Sequence, residues 1–388
     1  MKRRTVPCSV FFPVLLSVFL APGGRVWADP DAEDGDAARA AAIVSTLDER
    51  LLAAQVILAG VDGRRSLGGA MKELFRDCPA GGIMLFRYNL DAGKEAAKAF
   101  LAECAAFIGA AGSPLGIPPL VAVDHEGGPV DRFGPGILRL PAAAFWRELA
   151  DRDGKEAALL ALEEAAFKSG KEIRELGITV NLAPVAEVLN AENFSFLEGR
   201  SFGEDPLFVE AASAAFMRGM GRAGISCTLK HFPGNTGIDP HRASPVLGGD
   251  AAALAEMARP FAALIREMRV PAVMVSHALV PALDGERIAS LSPAVMEGWL
   301  REKLGFRGII LADDFSMGAV RDSGGGPEDA AVASLASGAD MIMAWPSTLR
   351  RTHAAILAAL EDGRLSREGL RKSAERIVAE KIRLGLLE

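Results

Sequence analysis

Cysteine is scarce in this chain of 388 residues: there are four. Cys8 lies in an apolar N-terminal stretch. The other three, Cys78, Cys104 and Cys227, are odd in number, which excludes a disulfide framework. Histidine is almost as scarce, with five residues, and no Cys/His cluster has the spacing of a zinc site. Low-complexity segments and short repeats are absent. Basic residues are outnumbered, 43 Lys and Arg against 50 Asp and Glu. A chain with that balance repels nucleic acid and anionic membrane surfaces, so neither is expected as a partner.

Half of the residues are hydrophobic and 24% are charged, a composition that builds a large core. The N-terminus stands apart. Met1-Lys2-Arg3-Arg4 is a basic head, Val6 to Pro22 is apolar, and Val26-Trp27-Ala28 offers a cleavage site. Residues 1–28 are therefore expected to be a secretory signal peptide, which makes the protein exported, periplasmic or extracellular. An uncleaved anchor is the alternative, although Pro7, Pro13 and Pro22 suit a spanning helix poorly. Loss of this segment removes four basic residues and no acid, which takes the net charge from −7 to −11. Residues 29–46 read as a linker ahead of one domain, residues 47–388; the linker's acidic part is Asp29 to Asp36, and a helical pattern runs from there to about Leu52.

Within that domain, apolar runs of strand length alternate with Ala-rich amphipathic segments. The runs are Gln55–Ala59, Gly82–Phe86, Leu120–Val123, Ile178–Leu182, Ile225–Leu229, Ala272–Val275, Gly308–Leu311 and Asp340–Ala344. Intervening helices include Gly154–Leu176, Pro206–Ala223 and Ala252–Met268. Eight such units predict an α/β fold, a (β/α)8 barrel, with a doubly wound open sheet as the second arrangement that alternation allows.

Polar groups follow five of these runs: Asp124-His125-Glu126, Asn181, Lys230-His231, Ser276-His277 and Asp313-Asp314. In a barrel the C-terminal strand ends build the active site, so five in succession point to one. His353 is the exception and is expected on the exposed face of a helix. The stretch from Lys230 to Pro245 adds Asp239-x-His241, a spacing at which a carboxylate can orient and charge an imidazole. Taken alone, the same spacing also describes a surface loop with a capping Asp.

Together these residues resemble glycoside hydrolase family 3, in its single-domain β-N-acetylglucosaminidase branch. The resemblance rests on Lys230-His231-Phe232-Pro233-Gly234 with Asp239-x-His241, and on Asp313-Asp314-Phe315-Ser316-Met317. It extends to Asp124-His125-Glu126-Gly127-Gly128 with Arg132, to Asn181-Leu182-Ala183-Pro184, and to Gly199-Arg200-Ser201-Phe202-Gly203. It implies a retaining hydrolase with Asp313 as nucleophile and an Asp239–His241 pair as acid/base. Asp124, Arg132, Arg200, Lys230 and His231 are implied sugar-binding positions. A carbohydrate is the expected partner, a monomer the expected state, and no cofactor or metal is expected. The chain departs from the family pattern in a loop about two residues shorter between Gly234 and Asp239, in Asn235-Thr236, in Pro240, and in Glu187 where Asp is usual.

A His donor suits this chemistry, because neutral imidazole does not repel an anionic nucleophile and its pKa lies near neutrality. Asp314 is expected to cap or brace, His125 and Glu126 to pack, and Ser276-His277 either to face the sugar or to brace Asp313. Peptidoglycan-derived or chitin-type N-acetylglucosaminides are the expected substrates. A phosphorylase, a non-catalytic sugar-binding barrel, and a metal hydrolase using His125, His231 and His277 are the alternatives.

Overall fold

The structure is a computed structural model that describes residues 30–387, apart from 113–115, 134–136, 241 and 322–325. The expected signal peptide and its cleavage site lie outside the described residues.

Eight short parallel strands form the centre: β1 Ile57–Gly60, β2 Gly82–Leu85, β3 Leu120–Val123, β4 Val180–Asn181, β5 Ser226–Phe232, β6 Ala272–Val275, β7 Ile309–Ala312 and β8 Ile342–Ala344. Consecutive strands pair in sequence order, and β8 returns to pair with β1. A parallel bridge between Leu311 and Met341 joins β7 to β8 and closes the ring. This is the expected (β/α)8 barrel. All eight strands are buried along their length, so they read as continuous apolar runs rather than alternating ones.

The helices outside start where the sequence supplies caps. Asp205 accepts from the Leu207 N–H ahead of Pro206, and Asp250 accepts from Ala252 and Ala253. Helices Lys155–Glu175 and Pro206–Arg222 pack closely against each other. A β-carbon built on Gly219 would stand 2.2 Å from the Glu163 carbonyl oxygen, so glycine sets that approach. Among the described residues, no helix is long and apolar enough to cross a membrane.

Three expectations are corrected. The helical pattern begins earlier than expected: the acidic stretch up to Asp36, read as a linker, is the start of a helix, Pro30–Ser45. It docks on the last helix, Arg367–Arg383, through a face that includes buried Ala40 and Val44. Its acidic start disguised it, because tertiary packing rather than local pattern stabilises such a helix. His353 is buried rather than exposed, and its Nε2–H donates to the Arg50 carbonyl at 2.9 Å. It shares one helical face with Leu349, Thr352 and Ile356. Finally, β5 continues through Lys230, His231 and Phe232, all buried, instead of ending at Leu229.

Lys381 is fully buried on the last helix and donates to Gln55 Oε1 at 2.7 Å. Burial pushes its pKa down to about 7. The unfolded chain holds this proton to higher pH, so stability rises as pH climbs from about 7 toward the ordinary lysine value. Lys381→Met should abolish that rise. Thermal melts at pH 7 and pH 9 should show the native protein gaining on the variant with pH, whereas parallel curves would mean that Lys381 is charged when folded.

Candidate active site

A cavity of about 290 Å³ opens at the C-terminal ends of the strands. Asp124, Arg132, Arg200, Lys230, His231 and Asp313 all line it. Six of the eight expected site residues therefore converge. Asp239 sits half-exposed on the loop after β5, while the next residue, Pro240, is part of the cavity wall. His241 lies outside the described residues. A larger cavity of about 610 Å³ lies at the opposite end of the barrel. Two of its arginines are already paired, Arg269 with Glu380 and Arg376 with Asp340.

The cation side of the cavity is a buried ion cluster. Lys230 Nζ lies 2.8 Å from Asp124 Oδ1 and 2.6 Å from Glu126 Oε1. Arg132 Nη2 donates to Asp124 Oδ2 at 3.1 Å. Arg200 grips Glu126 with two parallel bonds, Nε to Oε2 at 2.9 Å and Nη2 to Oε1 at 2.8 Å. Burial opposes ionisation of Asp124 and Glu126, but Lys230 and the arginines outweigh it and hold both carboxyls below their usual range. Burial likewise opposes the charge on Lys230, and the two carboxylates overcome it and raise its pKa. Glu126 was expected to be a packing or loop residue; the structure makes it the hub between Lys230 and Arg200. Its position two residues after Asp124, inside the short hairpin strand His125–Gly127, gave no separate signal.

His231 is fixed by Glu187, whose carboxyl oxygen Oε1 lies 2.6 Å from His231 Nδ1. Asn235 Nδ2 donates to the same oxygen at 3.1 Å. Glu187 and Asn235, seen in the sequence only as departures from a family pattern, thus set the ring's orientation.

On the far side, Asp313 follows β7, four strands around the ring from β3. Its Oδ1 accepts the Asp314 N–H at 2.8 Å. The oxygens of Asp314 are engaged by the Ser316 N–H at 2.8 Å, the Ser316 hydroxyl at 2.7 Å and Trp345 Nε1–H at 2.9 Å. That is the bracing arrangement expected of it. His277 Nε2–H donates to the Asp314 carbonyl at 3.0 Å, and its Nδ1 meets Ser290 Oγ at 2.7 Å. Burial lowers its pKa despite nearby Asp313, so it braces this turn as a neutral ring. His125 is buried and bonds Ser169 Oγ at 2.8 Å, the packing role expected. The rings of His125, His231 and His277 are each turned to different protein partners. Among the described residues, no group of three or more His, Cys, Asp or Glu is arranged to hold a metal.

Lys230→Met should destabilise the fold by about 3–5 kcal/mol, because it strands two buried carboxylates against incomplete pairing. The carboxyls' contribution is present above the unfolded carboxylate range and disappears as pH falls through their depressed folded values. Denaturant titrations of native protein and variant should therefore differ at pH 7 and converge in acid. An equal difference at every pH would contradict the cluster as described.

With this geometry in place, residues 46–379 match the glycosyl hydrolase family 3 N-terminal domain. A β-hexosaminidase of Methylococcus capsulatus is 37% identical over 301 residues, covering 76% of this chain and 84% of its own length. One from Neisseria gonorrhoeae is 34% identical over 277 residues, 70% of this chain and 73% of its own. The solved structure of a family 3 β-N-acetylglucosaminidase from Paenibacillus sp. is similar at a TM-score of 0.81 and 31% identity. The match covers 88% of this chain, which spans 63% of that larger protein. LpqI of Mycobacterium tuberculosis is similar at a TM-score of 0.72 and 30% identity, over 87% of this chain and 95% of its own. The chain belongs to glycosyl hydrolase family 3.

Proposed function

We propose that this protein is a retaining β-N-acetylhexosaminidase that removes terminal β-linked N-acetylglucosamine from peptidoglycan-derived or chitin-type sugars. The observation that carries this reading is one cavity lined by Asp313, the cation cluster and Pro240, the residue before His241.

Retaining hydrolysis needs a carboxylate to attack the anomeric carbon and a proton donor for the leaving oxygen. Asp313 takes the first role, because both oxygens of its neighbour Asp314 are already engaged by Ser316 and Trp345. Asp124 and Glu126 cannot supply the proton, since their neighbours hold them ionised. The family resemblance assigns that role to an imidazole. The loop that carries His241 is fastened over the end of β7: the Ala319 N–H donates to the Pro240 carbonyl at 3.0 Å, and Ser244 Oγ donates to the Ala319 carbonyl at 3.0 Å. Despite its shortness this loop brings the residue before His241 to the cavity that holds Asp313. His241 then protonates the leaving oxygen and deprotonates water in the second step, with Asp239 orienting the ring. Asp124, Arg132, Lys230 and His231 hold the sugar hydroxyls, and Arg200 acts mainly by fixing Glu126. The basic head and apolar run before Asp29 support export, and we take the protein to act as a monomer.

The His231–Glu187 contact of 2.6 Å supports a second reading, in which His231 is the acid/base. One experiment separates the two. His241→Ala should lower hydrolysis of an N-acetylglucosaminyl disaccharide by about 10²–10⁴. It should leave glycosyl-enzyme formation from a dinitrophenyl glycoside far less affected, so a burst precedes slow turnover that azide relieves. The same burst and azide rescue in His231→Ala, and not in His241→Ala, would transfer the role to His231. Turnover that requires phosphate and yields a sugar 1-phosphate would make the enzyme a phosphorylase.

A further inference from the structure

The cavity is small. At about 290 Å³ it sits near the low end of ligand pockets, roughly 300–1,000 Å³. One sugar ring fills such a space, so the remainder of a substrate must cross the rim. Two aromatic side chains of the cavity wall lead to a third outside it. Trp345 follows β8, Phe86 follows β2, and Tyr88 comes two residues later. Trp345 and Phe86 belong to the cavity wall. Tyr88, the single tyrosine of the chain, is 45% exposed.

These rings form a continuous run that is held in place. Trp345 Nε1 is anchored on Asp314, the neighbour of Asp313, at 2.9 Å. Its ring lies over Gly60, where a β-carbon would stand 2.5 Å from Trp345 Cε3, so a residue with a side chain at 60 would displace it. Phe86 follows with its centroid 5.3 Å from Trp345, tilted by 58°. Tyr88 is stacked on Phe86, 6.0 Å away and within 7° of parallel. The Tyr88 hydroxyl donates to the Val61 carbonyl at 3.1 Å, which fixes the ring and leaves a face to solvent. Asn89, buried beneath, pins the turn: its Nδ2 donates to the Val61 and Gly63 carbonyls at 2.9 and 2.7 Å, and its Oδ1 accepts the Phe86 N–H at 2.9 Å. An exposed aromatic that is locked by two backbone anchors loses little entropy when a ligand stacks on it.

We infer that Tyr88, backed by Phe86 and Trp345, is the platform on which the leaving-group sugar sits. The chemical class it fits is a pyranoside with equatorial substituents, such as a β-linked aminosugar or glucose unit. Such a ring presents flat faces of C–H bonds, and these stack on aromatic faces. Arg132, 5.9 Å from the Phe86 centroid, is paired with Asp124. This assignment rests on the glycosidase reading above.

The test compares an N-acetylglucosaminyl disaccharide with methyl N-acetylglucosaminide, which share an alkoxide leaving group but differ in the second ring. In Tyr88→Ala the disaccharide-to-methyl ratio of kcat/KM should fall about three- to tenfold, chiefly through KM on the disaccharide. Tyr88→Phe, which keeps the face and loses the hydroxyl, should retain most of the ratio. An unchanged ratio in Tyr88→Ala, or a loss seen with an aryl glycoside and not with the disaccharide, would overturn the assignment. If the native enzyme hydrolyses neither glycoside, the glycosidase reading has failed instead. Calorimetric binding of the disaccharide then decides the platform: weaker binding in Tyr88→Ala supports it, and equal binding overturns it.

Discussion

The site depends on one arrangement: a lysine near the end of β5 buried between two carboxylates that follow β3. Lys230 reaches Asp124 and Glu126 within 2.8 Å, and so ties together strands that sit two places apart in the ring. Arg132 and Arg200 extend the tie to the loops above. Three cations meet two carboxylates, which leaves the cluster one positive charge in excess. Buried pairs of this kind add little net stability against an apolar replacement, but removing one partner is expensive. The cluster is thus a device for geometry. It holds charged N–H donors at fixed points on one wall, where sugar hydroxyls and carbonyls can meet them.

Charge is divided across the barrel accordingly. The cations gather on the β3–β5 side, while Asp313 and Asp314 stand at β7, opposite β3. A glycosidic transition state develops positive charge at the ring. An excess cation beside that centre would oppose it, and a carboxylate would favour it. In the mechanism proposed above, Asp313 after β7 and the carboxylates after β3, on opposite sides of the ring, keep binding and bond-breaking on separate walls. Asp314, His277 and Trp345 serve the second wall by bracing the turn that carries Asp313, in the way that Glu187 and Asn235 serve His231.

Much of this was legible in the chain. The eight apolar runs match the strands closely except at the end of β5, which continues through Phe232, because each strand is buried on both faces and so leaves an uninterrupted apolar mark. Polar residues that follow those runs marked the rim. What escaped was whatever depends on contacts across the fold. Lys230 and His231 looked like the end of a strand because their polarity is compensated only by Asp124, Glu126 and Glu187, distant in sequence. Glu126 looked like loop filler for the same reason. The acidic start of the first helix looked like a linker because its stability comes from the final helix. His353 looked exposed, although its spacing from Leu349 and Ile356 placed it on the buried face.

The central claim is that Asp313 attacks the sugar from the wall opposite the cluster. A 2-fluoro or 5-fluoro N-acetylglucosaminide analogue with a good leaving group slows breakdown of the intermediate enough to isolate it. Peptide mass spectrometry of the trapped enzyme should place one sugar on Asp313. A label on Asp314, or a substrate consumed with no labelled residue, would contradict the account.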